Sequence, residues 1–534
     1  MSEAVLSPHS ARPALPAPAR PVSRAGTSKW AIAVAVSLGA MLEVVDTSIV
    51  NVALTEMQNS LGATLSQVSW VVSSYAVANV IILPMTAWLG DRFGKKRYFI
   101  FSLVAFVLAS MLCGVATNLP MLIFARVLQG LGGGGLLAKA QSILFETFPR
   151  EEQAMAQGFF GAIVVAGPAI GPTLGGWLVT NVNWRWIFYI NVPVGIAAVF
   201  MCMTFLAEDV PGERTHGGVD WAGIGFLTVG LGSLQTVLEE GQSEDWFHSA
   251  FINVFAVLAV LGIVLFVWRE LTAKQPIVDL RVLRHRSLWA GSILSVTVGM
   301  ALYGTLFAVP IFAQSILHYT SQQTGMLLLP SAIASALCMP IAAKLLGKFD
   351  PRALLMVGAC IMLAALSQLT KLSPLTGEGD LMVPLIIRSF GTVLMFLPLN
   401  MATLSPIPKK EISAAAGFFS LTRQLGGSVG VALLTTLLAD RQAFHRVILV
   451  EKLPADAPAT LERLRLLTGA MMARGFDAQD AHDKALKLLD GTVSLQAAVM
   501  SFGDTFWATA ALILFTLPLV LLLGKRGGKV EMGH

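Results

Sequence analysis

Charge is what this chain has least of. Only 13% of its 534 residues are Asp, Glu, Lys or Arg, about half the share a soluble domain uses to cover its surface. Together with 55% hydrophobic residues and a mean hydropathy of +0.70, that shortage excludes an ordinary water-soluble enzyme. It also excludes disordered and fibrous chains, which are polar or strictly periodic. Cysteine is scarce: Cys113, Cys202, Cys338 and Cys360 fall in apolar stretches at no metal-ligand spacing, which leaves them as packing residues without a disulfide framework. Missing too are a Walker-type phosphate loop, a zinc-protease HExxH and a Ser/His/Asp arrangement, so no machinery for ATP hydrolysis or covalent catalysis is visible. The net charge of +5 does not signal nucleic acid, because the basic residues stand in short clusters between long apolar runs.

What remains is an all-α polytopic membrane protein. Apolar runs of roughly 18–25 residues predict fourteen spanning helices, packed side by side because lipid cannot satisfy an exposed backbone. The first run, from Trp30 to about Leu54, is too long for a signal peptide. With both termini cytoplasmic, most Lys and Arg fall in cytoplasmic segments, while the short external loops hold only Arg185 and Lys371. That is the positive-inside pattern, and it requires an even number of spans.

A weak internal repeat is also present. Gly90-Asp-Arg-Phe-Gly-Lys-Lys-Arg97 after span 2 resembles Gly347-Lys-Phe-Asp-Pro-Arg352 after span 10. Arg126 in span 4 matches Arg388 in span 12 at nearly the same spacing. Two six-helix bundles follow, with spans 7 and 8 inserted between them, the usual plan of a secondary transporter. The expected divisions are a disordered cytoplasmic tail (1–29), a first bundle (30–207), a linker with the inserted hairpin (208–286), a second bundle (287–524) and a cytoplasmic tail (525–534). Within the second bundle, residues 440–496 are charged and Leu/Ala-rich, and predict two external helices extending spans 13 and 14. They read either as a solvated hairpin or as a docking surface for a partner.

Charges at membrane depth are expensive, which makes them functional candidates. Glu43 and Asp46 stand i, i+3 in span 1, and Asp46 lies about 24 Å along the helix from Trp30. Arg126 falls about 21 Å from the inner face, so one arginine and two carboxylates at similar depth can neutralise one another. A buried acid beside a cation can load and release a proton as access alternates; the alternative is a structural ion pair joining spans 1 and 4. Gln129, Lys139, Arg388 and Arg423 are further polar groups in apolar runs. Lys139 reads as a snorkelling lysine or a cavity charge. The glycine run Gly130 to Gly135 contains GxGxxG but follows no strand, so close helix packing is the better reading. Span 5 carries Gly167-Pro168-Ala-Ile-Gly171-Pro172-Thr-Leu-Gly175-Gly176, whose prolines remove helix donors and whose glycines allow close contact, as a moving joint requires.

In this order, the motifs resemble the major facilitator superfamily, and within it the fourteen-span drug:proton antiporters. The likeness rests on Asp46 to Leu54, Gly90 to Arg97, Arg126 with Gln129 and Gly130, Gly167 to Gly176, and Trp184 to Pro193. Gly232 to Gln235, Asp245 to Phe247, Pro276 to Leu280 and the long external segment add to it. The resemblance implies the facilitator fold, export of amphipathic toxic compounds by proton antiport with no cofactor beyond the proton gradient, and a bacterial inner-membrane location. It further implies a periplasmic membrane-fusion adaptor and an outer-membrane channel as partners. By the same resemblance, Asp46 is the proton carrier with Arg126 as its modulator, and Glu43 is an additional acid. Asp91, Arg92, Gly94 and the span 5 motif belong to the gating machinery. A dedicated exporter of an endogenous metabolite, such as a siderophore or fatty acid, is the alternative on the same fold.

Overall fold

The computed structural model describes residues 28–209, 218–273, 276–454 and 456–523. Nearly all of the expected N-terminal tail and the whole of the C-terminal tail lie outside the described residues. Among those residues the regular structure is entirely helical.

The first bundle holds α1 (Lys29–Leu61), α2 (Leu65–Ile82), α3 (Thr86–Phe93), α4 (Lys95–Gly114), α5 (Leu119–Gly133), α6 (Leu136–Thr147), α7 (Arg150–Asn181), α8 (Trp186–Tyr189) and α9 (Asn191–Phe205). The inserted pair is α10 (Trp221–Glu240) and α11 (Ala250–Thr272). The second bundle holds α12 (Arg286–Ser315), α13 (Ser321–Lys348), α14 (Pro351–Leu369), α15 (Glu378–Leu404), α16 (Ile412–Glu451), α17 (Pro458–Met472) and α18 (Ala478–Thr516). Thirteen helical segments among the described residues are long and apolar enough to cross a membrane. The other long helix, α16, is less apolar because Arg423, Gln424 and a charged stretch beyond Asp440 interrupt it, yet it packs along α12 and α18.

Each bundle has its own apolar core. One cluster joins Leu294, Phe312, Leu355, Met362, Leu385, Phe419 and Phe506; two others join Phe99, Phe106 and Phe160, and Val71, Leu122 and Phe188. The repeat is visible in the caps as well. Thr64 and Thr320 open α2 and α13 with the same capping box, closed by Gln67 and Gln323, at the spacing that separates Phe93 from Phe349. These reciprocal bonds satisfy two of the amide donors that a helix start leaves open.

The halves meet along α7 and α13, and where α16 reaches α3 and α6. The inserted α10 and α11 close the seam between α2 and α16 through a cluster of Val80, Leu227, Leu231, Phe266 and Leu421. Helix α11 turns Val254, Val257, Val260, Leu261, Val264, Trp268 and Leu271 outward, an apolar face of the kind that lies against lipid.

The segment 440–496 differs from expectation. Helices α16 and α18 do extend past the bundle, but a separate α17 stands between them. Pro454 and Pro458 divide the chain there; Pro458 sits in the first turn of α17, where its missing N–H costs nothing.

Candidate functional site

Asp46 and Arg126 meet at full burial. Arg126 donates from Nη1 to Asp46 Oδ2 at 2.5 Å and to Gln129 Oε1 at 2.7 Å, and from Nε to the Val71 carbonyl at 2.9 Å. Both side chains are 0% exposed. The other carboxylate oxygen, Oδ1, accepts from Gln129 Nε2 and Asn191 Nδ2, each at 2.9 Å. Asn191 in turn donates to Ser110 Oγ at 3.1 Å, and Ser110 donates to the Phe188 carbonyl. The Tyr75 ring lies 4.2 Å from the guanidinium, a cation–π contact that softens its burial. Four helices of the first half, α1, α2, α5 and α9, thus converge on one ion pair.

Glu43 does not join this pair. Its Oε1 accepts from Asn79 Nδ2 at 2.9 Å and its Oε2 from the Leu137 amide at 2.8 Å. Three residues turn a helix through 300°, so the two carboxylates diverge by about 60° and 4.5 Å along α1. Depth alone therefore overstated their mutual neutralisation with Arg126. The donor amide comes from an unexpected source: the glycine run ends α5 at Gly133 and starts α6 at Leu136, so span 4 is broken. The Leu137 amide, at the positive dipole end of α6, then meets the Glu43 carboxylate in the middle of an apolar bundle.

The remaining expected residues are placed as follows. Lys139 is buried on α6, and its Nζ donates to Ser413 Oγ of α16 at 3.0 Å, so it spans the seam between the halves. Arg92 lies over the Trp88 ring at 5.4 Å. Asp91 lines a cleft with Lys95, Glu146 and Asp209, at the end of the bundle that carries the basic clusters. Gly94 has φ +95°, and a side chain there would strike the Asp209 carboxylate, which accepts from the Lys96 and Arg97 amides at 3.0 and 3.3 Å. Glycine alone fits that position. Pro168 and Pro172 sit inside a continuous α7, and α1 lies so close that a Cβ on Gly171 would collide with Ser48 Oγ. Gly167 and Gly175 face Val44 and Ile49 of the same helix, while Gly176 faces Gln322 of α13.

In the second half, Arg388 stands where Arg126 stands in the first. Thr305 of α12 takes the place of Asp46, accepting from Arg388 Nη1 at 3.2 Å. Arg423 is 6% exposed, and its guanidinium lies 5.2 Å from the Phe396 ring and 5.6 Å from the Phe419 ring. Among the described residues Arg423 Nη1 has no hydrogen-bond partner.

Several polar contacts tie the halves together at the basic end. Besides Lys139 and Ser413, Gln141 Nε2 donates to Asn400 Oδ1 at 2.7 Å, Ser405 Oγ to Gln153 Oε1 at 3.3 Å, and Lys409 Nζ to the Glu146 carbonyl at 2.9 Å.

Sequence reasoning missed Asn79, Asn191, Ser110 and Asp209 as partners. The first three are isolated polar residues in or beside apolar runs, a signal that a scan for amides and hydroxyls, as well as charges, would have found.

Comparison with known proteins gives the following. The Major Facilitator Superfamily profile matches residues 36–431. The multidrug export protein EmrB of Escherichia coli (strain K12) is 33% identical over 497 residues, covering 91% of this chain and 94% of that protein. The fatty acid resistance protein FarB of Neisseria gonorrhoeae is 31% identical over 492 residues, with 92% and 95% covered. Among solved structures, the proton:xylose symporter XylE superposes with a TM-score of 0.57 at 12% identity, covering 92% of this chain and 96% of that one; this likeness is one of fold alone.

Proposed function

The chain belongs to the major facilitator superfamily, and from that premise we propose that it is a multidrug efflux transporter working by alternating access. It is a multi-pass membrane protein, and its similarity to EmrB along nearly its whole length is the observation that carries the reading. Its cargo is amphipathic and hydrophobic toxic compounds, moved in exchange for protons. The proton gradient is the energy source, since one proton crossing 100 mV supplies about 2.3 kcal/mol.

Asp46 is the proton carrier in this reading, supported by its complete burial against a single cation. Arg126 pairs with the carboxylate, and Gln129 and Asn191 fix its orientation. Glu43, held by neutral donors only, is a second protonatable group. The basic end is cytoplasmic, the membrane is the bacterial inner membrane, and both termini lie inside. Residues 440–496 project into the periplasm, where a membrane-fusion adaptor and an outer-membrane channel complete a tripartite path. Export of an endogenous metabolite is the second reading, with which the similarity to the fatty acid resistance protein FarB is compatible.

The test uses purified protein in liposomes. An acid-inside gradient drives uptake of an amphipathic dye in the wild type and none in Asp46→Asn. Gradient-driven uptake by that variant at the wild-type rate refutes the coupling assignment.

A further inference from the structure

The two halves share an architecture but not a charge pattern. In the first half the buried guanidinium has its carboxylate, Asp46. In the second, Arg388 meets only the Thr305 hydroxyl, and Arg423 makes no hydrogen bond or ion pair among the described residues. Helices α12, α13 and α14 contain no Asp or Glu at all. Those of α15 are Glu378 and Asp380 in its first turn, and those of α16 are Asp440 and Glu451, more than four turns beyond Arg423. The opposite charge that Arg423 does feel is Glu43 of α1, across the seam, and the other ionisable group acting on it is Tyr303 of α12. Glu43 is itself engaged by Asn79 and the Leu137 amide.

A guanidinium buried at membrane depth without a carboxylate is costly. Its planar fork matches a carboxylate or sulfonate in bidentate fashion, and the Phe396 and Phe419 rings beside it offer an apolar wall. We propose that Arg423 is the anion-recognising group of the transport path, taking amphipathic monoanions whose charged head meets the guanidinium while the apolar body packs on those rings. Glu43 is the internal competitor: its carboxylate and the ligand head draw on the same positive charge, so neutralising Glu43 strengthens anion binding. The proposal rests on the seam being the transport path, and it names one substrate class for that path.

The experiment measures equilibrium binding to the full chain in phosphatidylcholine nanodiscs, with empty discs subtracted. The probes are decane-1-sulfonate and decyltrimethylammonium, equal in tail and fixed in opposite charge. No gradient is applied, so a failure of proton coupling leaves the result untouched. Arg423→Gln should weaken sulfonate binding about tenfold or more, as expected for loss of a charged hydrogen bond, and leave the ammonium within about twofold. Arg423→Lys should retain most of the sulfonate affinity, and Glu43→Gln should raise it. Unchanged sulfonate binding in Arg423→Gln, or equal loss of both probes, overturns the proposal. If Arg423→Gln does not fold, Glu43→Gln decides: no gain in sulfonate affinity overturns it. Adding phosphatidylglycerol to the discs separates two sources of the anion. Unchanged affinity supports a free amphipath, and competitive loss overturns it in favour of a lipid phosphate.

Discussion

The ion pair between Asp46 and Arg126 allows a test in which stability and transport give opposite answers. Replace Asp46 by Leu, Arg126 by Leu, and both together. In the first variant Arg126 keeps only the Val71 carbonyl, Gln129 Oε1 and the Tyr75 and Phe188 rings. In the second, Asp46 keeps only Gln129 Nε2 and Asn191 Nδ2. Each single change leaves a charge buried without its counter-charge, at about 3–5 kcal/mol. The double variant buries no uncompensated charge and loses a few hydrogen bonds at about 1 kcal/mol each. The interaction energy from the cycle should therefore be about 3 kcal/mol or more, read from chemical unfolding in micelles. Additive losses, with a coupling below about 1 kcal/mol, would refute the account of the pair. The same double variant then separates its two meanings. A structural clamp predicts that the stable double variant still performs gradient-driven uptake. The coupling reading predicts a folded protein that takes up no dye under an acid-inside gradient.

Two further outcomes follow from the geometry. Thr305→Asp supplies the carboxylate that Arg388 lacks and should stabilise the fold by about 1–3 kcal/mol; a loss of stability in thermal unfolding would show that Arg388 is already compensated. Cysteines at Gln153 and Ser405, which touch across the seam, should arrest transport when joined by a short reducible cross-linker in a chain lacking the exposed Cys360, with recovery on reduction, and undiminished transport after complete cross-linking would mean that the halves do not part there.

The site was legible in the sequence where a single residue breaks a strong local pattern. Asp46 and Arg126 are charges in apolar runs, and their separation from the helix ends placed them at one depth. What the sequence could not convey is which neutral groups surround them. The donors to Glu43 come from α2 and from the backbone of α6, and nothing in the spacing of residue types specifies an amide at position 137. The same holds for the break itself. A glycine run at a helix crossing reads as close packing, and it is close packing, since a Cβ on Gly130 would lie 2.6 Å from the Tyr75 carbonyl. The same glycines also end one helix and start another, which only the assembled backbone reveals. The fold was more readable than the site because lipid imposes one rule on every span, whereas partners are chosen one pair at a time.

The location of these partners bears on how a proton could be exchanged. Every group bonded to Asp46 belongs to the first half: Arg126 and Gln129 on α5, and Asn191 on α9. The Val71 carbonyl that anchors Arg126 is on α2 of the same half. Rocking the two halves as rigid bodies would leave all of these distances unchanged. Glu43, by contrast, lies within electrostatic range of Arg423 of the other half, and Lys139 bonds to Ser413 of the other half, so rocking alters both. A proton step at Asp46 therefore requires movement within the first half as well as between halves. Helix α1 has one neighbour suited to that: α7, whose Gly167, Gly171 and Gly175 bring the backbones together at Val44, Ser48 and Ile49, within two to three residues of Asp46. Pro168 and Pro172 remove two backbone donors from α7 at that level, which lowers the cost of bending it. If Asp46 carries the proton, the span 5 motif stands where bending α7 would shift α1, and with it Asp46, relative to Arg126.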